Sequence, residues 1–192
     1  MINDTGYLEI ILGPMWSGKT TELVKLYNKF KFCDINILTI NYLHDTRYSE
    51  NNISTHDKIS IPCLMVENLK DISDILNDKL TEIFNESQVI LINEGQFFKD
   101  INEWVDIAVN KYNKHIYICG LDGDSNQNKF GNILDLIPKA DNIVKLSSIC
   151  AICKNGTPAP FTIRLSNETT QVVIGVNNYK PVCRKCLQKL NC

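Results

Sequence analysis

The stretch that most limits what this chain can become is Gly13-Pro14-Met15-Trp16-Ser17-Gly18-Lys19-Thr20. Its spacing is G-x-x-x-x-G-K-[ST]. An apolar run, Tyr7 to Leu12, precedes it, and a helical pattern follows from Thr21 to Phe30. Strand, glycine-rich loop and helix in that order are what a phosphate-binding loop requires. The glycines let the backbone turn its N–H groups inward around an anion. Lys19 can then place its charge on the outer phosphates, the Thr20 hydroxyl can sit on Mg²⁺, and the helix N-terminus adds partial positive charge.

At 192 residues the chain has room for one ordinary domain and a small appendage. A net charge of −2 gives no bulk attraction for nucleic acid. No apolar run is long enough to span a bilayer. The start, MINDTGYLEI, lacks a basic segment followed by a long apolar one, so no secretory signal is expected and the expected location is cytoplasmic. In that setting the eight cysteines point to metal rather than to disulfides.

Taken in order, residues 7–12 read as a buried strand and residues 20–31 as an amphipathic helix with Leu23, Leu26, Tyr27 and Phe30 on one face. Residues 35–40 read as a strand, 41–58 as a long polar loop, 61–66 as one short strand, and 68–84 as a helix carrying Leu69, Ile72, Ile75, Leu76, Leu80 and Ile83. The run 88–92 looks like a central parallel strand buried on both faces. A helix over 100–112, a strand over 115–119, a loop from Gly120 to Gly131, a short helix near 132–138 and a strand near 142–147 complete the pattern. The alternation predicts an α/β fold with a largely parallel sheet and ligands at the C-terminal strand ends. The expected division is residues 1–148 for this unit and 149–192 for a smaller, metal-organised one.

That second unit carries Cys150-x-x-Cys153 and Cys183-x-x-Cys186. Two such pairs suit a Cys₄ zinc site. A redox pair or buried structural thiols are the alternatives, although a redox motif expects one pair at the start of a βαβ unit. Cys33, Cys63 and Cys119 read as core thiols, Cys192 as a free one, and His44, His56 and His115 as structural or exposed. Glu94, just after the buried strand, can take a proton from a hydroxyl facing a bound phosphate, or can simply be a solvated or capping residue. Asn93 stands where phosphoryl-transfer enzymes place a metal-holding aspartate, and brings no negative charge. Phe97 and Phe98 can wall a base site or fill the core.

The ordered set GPMWSGKT (13–20), DTRYS (45–49), THD (55–57), NEGQFF (93–98), LDG (121–123), FGNILDLIP (130–138), CAIC (150–153), FTIRL (161–165), Tyr179 and VCRKC (182–186) resembles the type II thymidine kinases, zinc-containing P-loop deoxynucleoside kinases. The resemblance runs from about Gly6 to Cys186. It implies a RecA-like P-loop unit with a C-terminal zinc-bound lasso, ATP and thymidine as substrates, Mg²⁺ with the ATP, dTTP as feedback inhibitor, a homotetramer, and no nucleic-acid or membrane partner. It implies Glu94 as general base. Gly13 to Thr20, Asp45, Thr46, Arg47, Asn93 and Gln96 match the ATP and phosphate site, with Thr20 toward Mg²⁺. Met15, Phe97, Leu121, Ser125, Phe130, Thr162, Gln171, Val172, Val173, Ile174, Gly175 and Tyr179 match the thymidine site. Cys150, Cys153, Cys183 and Cys186 match the zinc ligands. The chain departs from the family pattern at Asn93, usually aspartate, and at Ser125, usually an aromatic pocket residue.

An ATP-dependent thymidine kinase is therefore the leading expectation. A nucleotide-dependent nucleic-acid-binding module is disfavoured by the acidic balance and by the lack of an aromatic and basic stripe. A catalytically impaired regulatory relative is motivated by Asn93 and Ser125.

Overall fold

The computed structural model describes residues 4–45, 52–54, 59–166, 168, 171 and 178–190. In chain order the elements are β1 (Tyr7–Leu12), α1 (Lys19–Phe32), β2 (Ile37–Tyr42), β3 (Asn52–Ser54), β4 (Ser60–Pro62), β5 (Leu64–Val66), α2 (Glu82–Glu86), β6 (Val89–Ile92), α3 (Ile101–Asn110), β7 (His115–Gly120), β8 (Asn142–Lys145), β9 (Ser148–Ile149), β10 (Pro158–Ala159), β11 (Phe161–Arg164), β12 (Tyr179–Val182) and α4 (Arg184–Leu190). Six strands form one sheet in the order β5-β2-β6-β7-β1-β8. Every pairing in it is parallel. The chain leaves β1 and re-enters the sheet at β2 beyond two intervening strands, so the order reverses beside β1. That is where α/β folds open a crevice at the C-terminal ends of their strands.

Alternation along the central strands supplies both faces of the sheet. Leu8, Ile10, Ile90, Ile92, Ile116 and Ile118 join Trp104 and Ala108 of α3 in one buried layer. Ile11, Val89, Leu91, Tyr117 and Cys119 join Leu23, Val24 and Phe30 of α1 in the other. A strand with apolar side chains at both parities has nowhere to lie except between two helical layers. The α1 face is as expected, with Leu26 and Tyr27 packed against the buried layer at its margin. A third, separate cluster holds Cys150, Ala159, Val182, Cys183, Cys186 and Leu187, around two short antiparallel pairs, β9 with β10 and β11 with β12.

Several expected elements need correction. The second strand runs from Ile37, not from residue 35, and reaches Tyr42. The stretch 41–58 contains β3, which pairs antiparallel with β4. The run 61–66 is two strands in different sheets, since β4 belongs to that hairpin and β5 pairs with β2. The helix expected over 68–84 is two 3₁₀ turns, Leu69–Asp71 and Ile75–Asn77, followed by the short α2. Leu69, Ile72 and Ile75 are buried as the spacing suggested, whereas Leu76 and Ile83 are exposed. The polar residues between them break the helix. Ser73 Oγ donates to Lys79 O and accepts from Thr81 N, and Asp78 sits in left-handed backbone. Short polar side chains that bond nearby backbone compete with helix in this way. Cys33 is not a core thiol, for it lies exposed just past α1. Cys119 is buried, and burial pushes the half-buried Cys63 thiol up to about 11. His115 is buried against Tyr7, His44 is exposed, and His56 and Cys192 lie outside the described residues.

Candidate active site

The loop after β1 closes tightly. A Cβ on Gly13 would meet Ser17 Oγ at 2.6 Å and Leu146 O at 2.9 Å. Gly18 caps α1 at φ 87°, a conformation that costs side-chain-bearing residues dearly. Trp16 nonetheless adopts φ 58°. Lys19, largely buried, donates through Nζ to Pro14 O at 2.7 Å, so its ammonium folds over the loop's own backbone. Thr20 is the second residue of α1, in its first turn. Ser17 Oγ is buried without a hydrogen-bond partner among the described residues. An orphaned hydroxyl inside a glycine-rich loop of this spacing is one that a phosphate oxygen would satisfy.

Glu94 follows β6 with φ 55° and ψ 40°, left-handed backbone that costs a non-glycine residue on the order of 1 kcal/mol or more. It is 8% exposed, and its carboxylate accepts from Gln96 Nε2 at 2.6 Å. Gln96 Oε1 in turn accepts from Leu121 N at 2.9 Å. Gln96, expected at the phosphates, thus spends its amide in bracing Glu94 against the loop after β7. That bracing depends on Gly131, where φ is 60° and a Cβ would lie 1.9 Å from Gln96 O.

Asn93 points into the protein. Its Nδ2 donates to Asn41 Oδ1 at 2.9 Å, and its Oδ1 accepts from the Cys119 thiol at 2.9 Å. Asn41 Nδ2 reaches Asp45 Oδ2 at a long 3.4 Å. Three side chains at the ends of β2, β6 and β7 therefore form one buried polar chain that ends on the Asp45 carboxylate. Thr46 and Arg47 lie outside the described residues.

Phe97 is partly exposed, stacked on Tyr42 at 5.0 Å between ring centroids and met edge-on by Phe130 at 5.4 Å. Phe98 is fully buried, which is the core reading. Tyr42 is an aromatic wall that the sequence reading missed, because it fell in the stretch 41–58 read as a polar loop, whereas it ends β2. Leu121 and Ser125 are partly exposed on the loop after β7. Thr162 is buried, and its Oγ1 accepts from Met15 N at 3.0 Å, so a phosphate-loop amide is bonded directly to β11. Gln171 donates to Asp124 Oδ2 at 3.0 Å, and Tyr179 lies under the Arg164 guanidinium at 5.4 Å. Val172, Val173, Ile174 and Gly175 lie outside the described residues.

Cys150, Cys153, Cys183 and Cys186 bring their sulfur atoms within 4.8 Å of one another. The Cys153 sulfur is 3.7 Å from that of Cys183 and 3.4 Å from that of Cys186. Tetrahedral Zn–S bonds of about 2.3 Å would set neighbouring sulfurs about 3.8 Å apart, so the cluster can hold zinc. Burial works against a Cys150 thiolate, yet N–H groups of Cys153, Cys183 and Ile152 outweigh it and bring the thiol down to about 6. Hydrogen bonding to Cys153 pushes the Cys186 thiol the other way, up to about 12, so the four sulfurs deprotonate unequally unless a cation offsets their charge. Among the described residues, no helix is long and apolar enough to cross a membrane.

Comparison with known proteins agrees with this geometry. The thymidine kinase family model matches residues 6–187. A thymidine kinase of Yaba monkey tumor virus is 40% identical over 192 residues, 100% of this chain and 99% of the viral protein. A thymidine kinase of variola virus is 37% identical over 182 residues, 94% of this chain and 96% of its own. One from Oryza sativa is 37% identical over 94% of this chain and 65% of the plant protein. With the family match spanning nearly the whole chain and relatives similar from end to end, the chain belongs to the thymidine kinase family.

Proposed function

We propose that the chain transfers the γ-phosphate of ATP to the 5′-hydroxyl of thymidine, giving dTMP and ADP. The observation that carries this reading is the pairing, at the C-terminal ends of the central strands, of a phosphate loop with a braced, largely buried carboxylate in strained backbone. Backbone N–H groups from Trp16 to Thr20 wrap the phosphates, and Lys19 leaves Pro14 O to meet the outer ones. Thr20 would help hold the Mg²⁺ that enters with ATP, and the ion would supply positive charge to offset that developing on the transferred group. Glu94 accepts the proton of the 5′-hydroxyl as its oxygen bonds to the γ-phosphorus and the bond to the β-bridging oxygen breaks. Gln96 keeps Glu94 in place for that step. Such catalysis is mostly positioning and electrostatics.

Phe97, Phe130, Met15, Leu121 and Ser125 are the proposed surroundings of the thymine, with Thr162, Gln171 to Gly175 and Tyr179 on its other side. Asp45, Thr46 and Arg47 are proposed at the phosphates. Zinc on the four cysteines is structural, since four thiolates leave no open position for chemistry. Residues 1–148 and 149–192 are the proposed phosphate-loop and lasso units. A cytoplasmic homotetramer restrained by dTTP completes the proposal on family grounds. The test is to incubate the purified chain with ATP, Mg²⁺ and each deoxynucleoside separately. Thymidine should yield the monophosphate. A chain that phosphorylates another deoxynucleoside and not thymidine would refute the substrate assignment.

A further inference from the structure

Asp124 is a buried carboxylate, 8% exposed, to which neither the phosphate loop nor Glu94 gives a task. Its Oδ1 accepts the backbone N–H groups of Asn126 and Asn128, each at 2.9 Å, folding the loop after β7 onto itself. Its Oδ2 accepts from Gln171 Nε2 at 3.0 Å. A carboxylate only accepts, so the nitrogen end of the Gln171 amide is fixed toward it. The same nitrogen reaches Lys129 O at 3.4 Å. From the other side Arg164 donates to Gln171 O and Glu168 O, both at 2.8 Å, while its guanidinium covers the Tyr179 ring. One bonded path therefore links the loop that carries Ser125 and Phe130 to the stretch that carries Gln171 and Tyr179.

We propose that Asp124 is a positioning residue of the thymidine site, tying these two stretches together through Gln171 before substrate arrives. The proposal rests on the thymidine reading above. Joining the two walls in advance removes part of the ordering entropy that binding would otherwise bear. A hydrogen bond to a charged group is worth enough to change affinity about ten-fold. The Asp124–Gln171 bond joins the two thymidine walls, and the phosphate loop meets this path only through Thr162 on β11, so the effect falls chiefly on thymidine.

The polarity of the pair makes it testable by reversal. Gln171→Glu sets two carboxylates against each other and leaves the fold of the Asp124 loop intact. Adding Asp124→Asn restores one donor and one acceptor, and the new amide oxygen still accepts from Asn126 and Asn128. Steady-state kinetics should show Gln171→Glu raising the KM for thymidine about ten-fold, with kcat and the KM for ATP near wild type. The double variant should return the thymidine KM toward wild type. An unchanged KM in Gln171→Glu, or a double variant no better than the single one, overturns the proposal. If the wild-type chain does not turn over thymidine, it is the substrate assignment that falls. The link is then read from amide hydrogen exchange over residues 121–131, which should quicken in Gln171→Glu and slow again in the double variant; equal exchange in all three proteins also overturns it.

Discussion

A carboxamide at position 93 has one donor group and one acceptor atom, and both are engaged inside the protein, by Asn41 and by the Cys119 thiol. The amide is therefore a structural member of a buried chain, and its lack of charge is matched by neutral neighbours. An aspartate there would have to draw its hydrogen bond from Asn41 Nδ2, the group that now reaches Asp45. Turning Asn41 to supply it would aim a carbonyl oxygen at the Asp45 carboxylate. Asn93→Asp should consequently destabilise the protein by about 1–3 kcal/mol, read as a lower urea midpoint at neutral pH. Burial raises the pKa of such a carboxyl above its unfolded value, so the deficit grows as pH rises and shrinks as pH falls. Equal midpoints across pH would mean that the site tolerates charge. Asn93 was visible in the sequence only as a departure from a pattern. Cys119 was legible only as a core thiol and Asn41 not at all, because their partners lie on other strands and only the sheet order brings them together.

Among the elements, the phosphate loop, the buried strand β6 and the paired cysteines were legible from short-range pattern alone. A fixed loop motif, an apolar run between polar flanks and a C-x-x-C spacing each encode their geometry locally. The stretch from residue 68 to 84 was not legible, since its apolar spacing suits a helix while Ser73 and Asp78 break it through bonds the spacing does not reveal. The turn after Glu94 depends on a remote residue in the same way. Gly131→Ala would press a methyl into Gln96 O in left-handed backbone. It should cost about 1–3 kcal/mol of stability and lower kcat more than it alters ATP binding, because Gln96 braces Glu94. A variant with wild-type melting and turnover would show that the loop relaxes freely.

Across the whole molecule, the cysteine cluster and the phosphate loop are connected. Thr162 of β11 accepts from Met15 N, and β11 pairs with β12, which leads into Cys183. Sequence separation alone suggests that losing the metal costs ATP binding much less than thymidine binding. The Met15–Thr162 bond gives the smaller effect a physical route. Cys183→Ser should raise the KM for thymidine strongly and that for ATP to a smaller but measurable extent. Metal analysis of the wild-type chain should find about one zinc per chain. Equal loss of both substrates, with a collapsed melting transition, would instead mean that the cluster holds up the entire fold.

The central claim is that Glu94 takes the proton during phosphoryl transfer, and single-turnover transfer from labelled ATP to thymidine tests it most directly. Glu94→Gln keeps the shape of the side chain and removes its basicity. The rate of transfer should fall by about 10²–10⁴, with ATP affinity measured on the same protein close to wild type. A Glu94→Gln protein that forms labelled dTMP at the wild-type rate would contradict the account.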